Sequence, residues 1–145
     1  MGDSAVEILL VEDNPADAEL TLHALRKSNL ANSIYVAHDG EEALDFLFCS
    51  GAHSHRDFLV PKLVLLDLKL PKVDGAEVLQ AIRDNQRTKQ LPVVVLTSSK
   101  EHQDVSKMYR LGATSYIQKP VDFEQFQRTI REIGFYWLVV NEPLP

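Results

Sequence analysis

The chain has 145 residues, 45% of them hydrophobic and 25% charged, with a net charge of −6. That length encloses one domain with a proper core, and the composition is ordinary for a globular protein. The acidic balance argues against a nucleic-acid surface, which carries a basic excess. No apolar stretch is long enough to span a bilayer. The N-terminal "MGDSAVEILLVED" lacks the basic region of a signal peptide, and Val6 stands where a myristoylation signal has Ser or Thr. The one cysteine, Cys49, reads as a small buried hydrophobe in a protein of the reducing cytoplasm.

In chain order, the apolar run "VEILLVED" reads as a first strand ending in Glu12-Asp13. Asn14-Pro15 then starts a helix, with Asn as cap and Pro in the first turn. Ala18, Leu22 and Leu25 give it an apolar face to about Lys27. "SIYVAHDG" is a second strand, followed by a helix over Gly40 to Phe48 through Ala43, Leu44 and Leu47. The long irregular "CSGAHSHRDFLVP" comes next. His53, His55 and Cys49 invite a metal reading, but no second cysteine or third histidine completes a zinc set, so a solvated loop is expected. "KLVLLDLK" is a third strand ending in Asp67, and Val78, Leu79 and Ile82 mark a helix from Gly75 to Asp84. "PVVVLTSS" ends a fourth strand at Thr97. A fourth helix runs from Glu101 to Leu111 and stops at Gly112, a natural left-handed terminator. "TSYIQKP" carries a fifth strand to Lys119, and a fifth helix begins at Phe123.

Most of these strands are near-continuous in Val, Ile and Leu, as strands covered on both faces of a parallel sheet are. Strand followed by helix, five times over, implies right-handed crossovers. In such a sheet, ligands bind beyond the carboxyl ends of the strands, where the winding reverses. Glu12, Asp13, Asp67, Thr97 and Lys119 all fall at strand ends and are expected to converge there, with Asp67 standing at the rim rather than buried. Three carboxylates together repel unless a cation sits among them. Oxygen-only ligands suit Mg²⁺. Magnesium beside a lysine and a hydroxyl is the equipment of phosphoryl transfer, in which an aspartate can act as acceptor. Singly, each residue is more often a helix cap or a solvated turn. Their placement at four strand ends, in this order, carries the reading.

The chain resembles the receiver domain of two-component response regulators. The motifs are "VED" at Val11 to Asp13, "DLKLPKVDG" at Asp67 to Gly75, "VVLTSS" at Val94 to Ser99 and "QKP" at Gln118 to Pro120. The resemblance implies a flavodoxin-like, doubly wound five-stranded parallel sheet of order 2-1-3-4-5, with helices on both faces. It implies that Asp67 is phosphorylated by a histidine kinase, with Mg²⁺ held by Asp13, Asp67 and the backbone carbonyl of Lys69, and by Glu12 through water. Thr97 and Lys119 would contact the phosphoryl group, and Tyr116 would switch with Thr97. The output would be a change of protein contacts in the cytoplasm. More narrowly, the long loop before the third strand, "PVVVLT" and "FYWLVVNEPLP" resemble the regulators that partner bacterial phytochrome kinases.

Residues 1–145 are expected to form one receiver domain, with 134–145 extending the last helix. Phe123, Phe126, Ile130, Ile133, Trp137 and Val140 fall on one helical stripe. Phe126, Ile130, Ile133 and Trp137 are therefore expected to form the seam of a homodimer. Two rivals stand against a response regulator. A haloacid-dehalogenase-type phosphatase wants a second aspartate two residues after the nucleophile, where Lys69 stands. A receiver-like module that is never phosphorylated loses the acidic pair, the aspartate or the lysine, and this chain keeps all of them.

Overall fold

Five strands alternate with five helices: β1 (Ile8–Val11), α1 (Pro15–Lys27), β2 (Ile34–Ala37), α2 (Gly40–Phe48), β3 (Leu63–Asp67), α3 (Gly75–Asp84), β4 (Val93–Thr97), α4 (His102–Arg110), β5 (Ser115–Gln118) and α5 (Phe123–Ile133). The computed structural model describes residues 7–27, 33–51, 60–98 and 102–133, without the side chains of 102–104, 130 and 133. His53, His55 and the 134–145 extension lie outside the described residues.

All four strand pairings are parallel, and the order across the sheet is β2-β1-β3-β4-β5. This is the doubly wound arrangement expected from the sequence. Its winding reverses between β1 and β3, which places the crevice there. β1, β3 and β4 are buried at every residue, which explains their unbroken apolar runs. Alternate side chains serve two cores. Ile8, Leu10, Leu63, Leu65, Val94 and Leu96 pack under Leu25 of α1 and Phe126 of α5. Leu9, Val11, Val64, Leu66, Val93 and Val95 pack against Leu47 of α2, Val78, Leu79 and Ile82 of α3 and Met108 of α4.

The dimer seam needs one correction. Phe126 is fully buried in the chain's own core, so it offers no surface to a second copy. The apolar stripe of α5 is in this part the core-facing stripe of an amphipathic helix, which has the same spacing. The side chains of Ile130 and Ile133, and the whole of Trp137, lie outside the described residues.

Side-chain caps that follow a strand's carboxyl end start α1, α2 and α3, as Asp122 does for α5 by accepting from Gln125 N at 2.8 Å. Asn14 Oδ1 accepts from the backbone N–H groups of Ala16 and Asp17 at 2.9 and 3.0 Å. Asp39 Oδ1 accepts from Glu42 N at 2.7 Å. Asp74 and Glu77 form a reciprocal capping box at 3.0 and 3.2 Å. The caps fix where each helix begins, and so the short loops that carry the strand-end residues.

The opposite end of the α3–β4–β5 layer is tied by Arg83. Its Nε and Nη2 donate to Gly112 O at 2.9 and 2.7 Å, and Nη1 donates to Leu91 O at 2.6 Å and Lys89 O at 3.1 Å. One planar fork thus joins the end of α3 to the approaches of β4 and β5. Gly112, which ends α4 as the sequence suggests, has φ of +104°, and a Cβ there would lie 2.8 Å from Arg83 Nε. Arg83→Ala should strand these carbonyls and lower the unfolding free energy by about 2–3 kcal/mol. Arg83→Lys should lose much of the same amount, because an ammonium cannot fork. Urea unfolding measures both, and a loss below about 0.5 kcal/mol for Arg83→Ala would contradict the tie.

Candidate functional site

The strand-end residues do converge. Glu12 and Asp13 follow β1, Asp67 closes β3, Thr97 closes β4, and Lys119 follows β5 directly. The parallel ladder continues into these ends: Glu12 N donates to Ala37 O at 2.9 Å, Leu68 N to Leu96 O at 3.0 Å, and Lys119 N to Thr97 O at 2.8 Å. The loop after Asp67 folds back tightly, with Gly75 N donating to Leu68 O at 3.2 Å. A Cβ at Gly75 would lie 2.5 Å from Asp67 O and 2.6 Å from Leu68 O. Glycine is needed there because two backbones meet.

Carboxylate oxygens of Glu12, Asp13 and Asp67 lie within 4.8 Å of one another. Asp13 is exposed, while Glu12 is 1% and Asp67 6% exposed. Asp67 is therefore not at an open rim as the sequence suggested. It is buried, and it is tolerated because Lys119 Nζ donates to its Oδ2 at 3.1 Å. The same ammonium lies 2.7 Å from Glu12 Oε1 and 3.1 Å from Asp17 Oδ2. Burial opposes the Lys119 charge, but Glu12, Asp17 and Asp67 outweigh it and hold its pKa above the ordinary lysine value.

Glu12 shows the opposite strain. Burial pushes its carboxyl up to about 7, and the neighbouring Asp67 adds to the rise, against the lowering effect of Lys119 and of the Asn14 N–H at 3.1 Å. Glu12 Oε1 pairs with the ammonium by charge but off the direction of a hydrogen bond, and so has no hydrogen-bond partner. A buried, under-satisfied carboxylate beside two others is a donor set that fits a hard divalent cation. Glu12, Asp13 and Asp67 are the side chains that would hold it.

Thr97 is 2% exposed and lines a narrow pocket with Leu68, Met108, Tyr109 and Tyr116. Tyr116 itself is 45% exposed, its ring edge-on to Tyr109 at 6.1 Å and 86°. Lys69 is exposed on the loop after β3. The residue that sequence reasoning missed is Asp17. It reads as an ordinary first-turn acid of α1, and only the fold brings it to Lys119.

The response regulator receiver domain family matches residues 8–131. The chain belongs to that family. Among solved structures, the bacteriophytochrome response regulator RtBRR is 49% identical, with a TM-score of 0.86 over 98% of this chain and 86% of that one. The Mn²⁺-bound form of response regulator Rcp1 is 37% identical, with a TM-score of 0.76 over 97% of this chain and 99% of that one. Rcp1 of Synechocystis sp. aligns at 38% identity over 90% of this chain and 88% of its own length. The phosphorylated cyanobacterial phytochrome response regulator RcpA is 37% identical, with a TM-score of 0.77 over 98% of this chain and 99% of that one. The receiver fold and the likeness to phytochrome-associated regulators, both expected from the motifs, hold. Among the described residues no helix is long and apolar enough to cross a membrane.

The raised Glu12 pKa makes the metal-free receiver sensitive to pH. Its carboxyl titrates near 7 in the folded chain, against an ordinary value of 4.5. Between those values the native state binds more protons than the unfolded one, so stability falls as pH rises from about 4.5 to about 7, and Glu12 adds no slope above. Urea unfolding in a metal chelator should show this fall in the wild type and a flatter profile in Glu12→Gln. Parallel profiles would show that Glu12 is not its source.

Proposed function

We propose that the chain is a phosphoacceptor in a two-component relay, receiving a phosphoryl group on Asp67 from the phosphohistidine of a sensor kinase in a Mg²⁺-dependent reaction. One observation carries the reading: a buried Asp67 carboxylate gathered with Glu12 and Asp13 and held by the Lys119 ammonium. A carboxylate oxygen of Asp67 attacks phosphorus, the phosphorus–nitrogen bond of the donor breaks, and the imidazole leaves with its electron pair and takes a proton. When bound, Mg²⁺ neutralises charge on the transferring phosphoryl oxygens. Lys119 supplies a second positive charge to those oxygens, and the Thr97 hydroxyl donates a hydrogen bond to one of them. The Lys69 backbone carbonyl would complete the protein's metal ligands.

Three relatives lend support by what they are themselves: Rcp1 as a Mn²⁺-bound form, RcpA as a phosphorylated form, and RtBRR as a bacteriophytochrome response regulator. They favour a phytochrome as the cognate kinase. The acid that a haloacid-dehalogenase-type phosphatase needs two residues after its nucleophile is replaced by Lys69. The chain is thus a signalling module that acts chemically only on its own phosphoryl group.

The signal would leave through Tyr116. Tyr116 is half-exposed and lines the pocket shared with Thr97, Leu68, Val95, Met108 and Ala113. Drawing the Thr97 hydroxyl to a phosphoryl oxygen would open that space to the ring and change the face between α4 and β5. The two states are separated by a local charge change, the usual trigger of a packed bistable element.

Two outcomes are expected. Incubated with a phosphohistidine donor and Mg²⁺, the wild type should take up phosphate, while Asp67→Asn, and the wild type in a chelator, should take up none. Stable incorporation into Asp67→Asn would place the acceptor elsewhere. Ring resonances of Tyr116 should also shift when beryllofluoride, a phosphoryl mimic, is added with Mg²⁺. An unchanged Tyr116 environment at full occupancy would remove it from the switch.

A further inference from the structure

Lys119 is the only cation paired with Glu12, Asp17 and Asp67 among the described residues: it donates hydrogen bonds to Asp17 and Asp67 and pairs with Glu12 by charge. Two of the three belong to the reaction. Glu12 and Asp67 are members of the acidic triad that would hold the metal, and Asp67 loses its charge once it carries a phosphoryl group. Asp17 is outside that triad.

Asp17 is itself held. The Asn14 side chain fixes its backbone N–H at 3.0 Å, and Asn14 N donates to Glu12 Oε2 at 3.1 Å. Asp17 Oδ2 accepts from Lys119 Nζ at 3.1 Å, and Lys119 Nζ returns to Glu12 Oε1 at 2.7 Å. The contacts form a closed ring, Glu12 to Asn14 to Asp17 to Lys119 and back to Glu12, built from the single stretch "EDNPAD" and one lysine from the far side of the sheet.

We propose that Asp17 is a positioning residue for phosphoryl transfer, the anchor that keeps Lys119 over Asp67 while the other two partners change charge and contacts. A lysine side chain has four rotatable bonds and much rotamer entropy to lose. Held only by Glu12 and Asp67, it would be released as those groups turn to the metal and the phosphoryl group. Held by Asp17 as well, it needs to exchange one hydrogen bond, from the Asp67 carboxylate to a phosphoryl oxygen. The inference rests on the phosphoacceptor reading and adds a residue to it.

Charge and anchorage predict opposite signs, which makes the test decisive. Removing a negative charge beside the site should help an incoming anion, whereas removing an anchor should weaken its capture. Beryllofluoride affinity is measured on the full chain at saturating Mg²⁺, in buffer where urea unfolding shows each variant fully folded. Asp17→Asn should bind about three- to tenfold more weakly than wild type, and Asp17→Glu, which restores the carboxylate, should recover most of the loss. An Asp17→Asn protein that binds as tightly as wild type, or more tightly, overturns the anchor while leaving the phosphoacceptor reading intact. So does a deficit seen at low Mg²⁺ that vanishes at saturation, because Asp17 would then act only through the metal's field. A wild type that binds no beryllofluoride in Mg²⁺ overturns both.

Discussion

One ammonium makes this site possible. Glu12, Asp17 and Asp67 each lie within 3.1 Å of Lys119 Nζ, and two of the three are almost wholly buried. Without that charge, desolvation and mutual repulsion would protonate at least one carboxylate at neutral pH. With it, the buried Asp67 carboxylate has a cationic hydrogen-bond partner, in a place dry enough to make electrostatic interactions strong. The balance is incomplete, because four acids counting Asp13 face one lysine. The rise in the Glu12 pKa records what remains, and a divalent cation is the natural counterweight.

The frame explains why so few charges suffice. Parallel strands all end on the same side, so residues far apart in sequence reach one crevice without long loops. The helices that follow are capped at their starts by Asn14, Asp39 and Asp74, so the loops between strand end and helix are short and fixed. Gly75 lets the loop after Asp67 fold onto the strand's own last carbonyls. Arg83 pins the other end of the same layer through four backbone hydrogen bonds. A rigid floor and a tight rim leave the Thr97–Tyr116 pocket as the place where a change of charge can become a change of packing.

Much of this was legible in the sequence, because it depends on local rules. Unbroken runs such as Leu63 to Leu66 announce strands covered on both faces. Asn14-Pro15 announces a helix start, and Gly112 announces an end. The strand-to-helix rhythm fixes a parallel sheet with right-handed crossovers, and the resemblance to receiver domains supplies the strand order that says which ends meet. Glu12, Asp13, Asp67, Thr97 and Lys119 could thus be brought to one crevice before any coordinates.

The tertiary structure decided what those rules leave open, and the reason is the same in each case: periodicity gives a direction along one element, not the neighbour that waits there. The stripe through Phe126 has the spacing of a seam and of a core alike, and only the packing of α5 over the sheet turned Phe126 inward. Asp67 ends its strand in either a wet or a dry setting, and the reach of Lys119 from β5 made it dry. Asp17 is one more acid in a first helical turn until α1 crosses to Lys119, at a sequence separation of 102 residues. The sequence by itself determined the sheet, its winding and the chemistry gathered at its carboxyl edge. Burial and the sharing of one ammonium among three carboxylates were decided only in three dimensions, because both depend on distances between elements that no local pattern encodes.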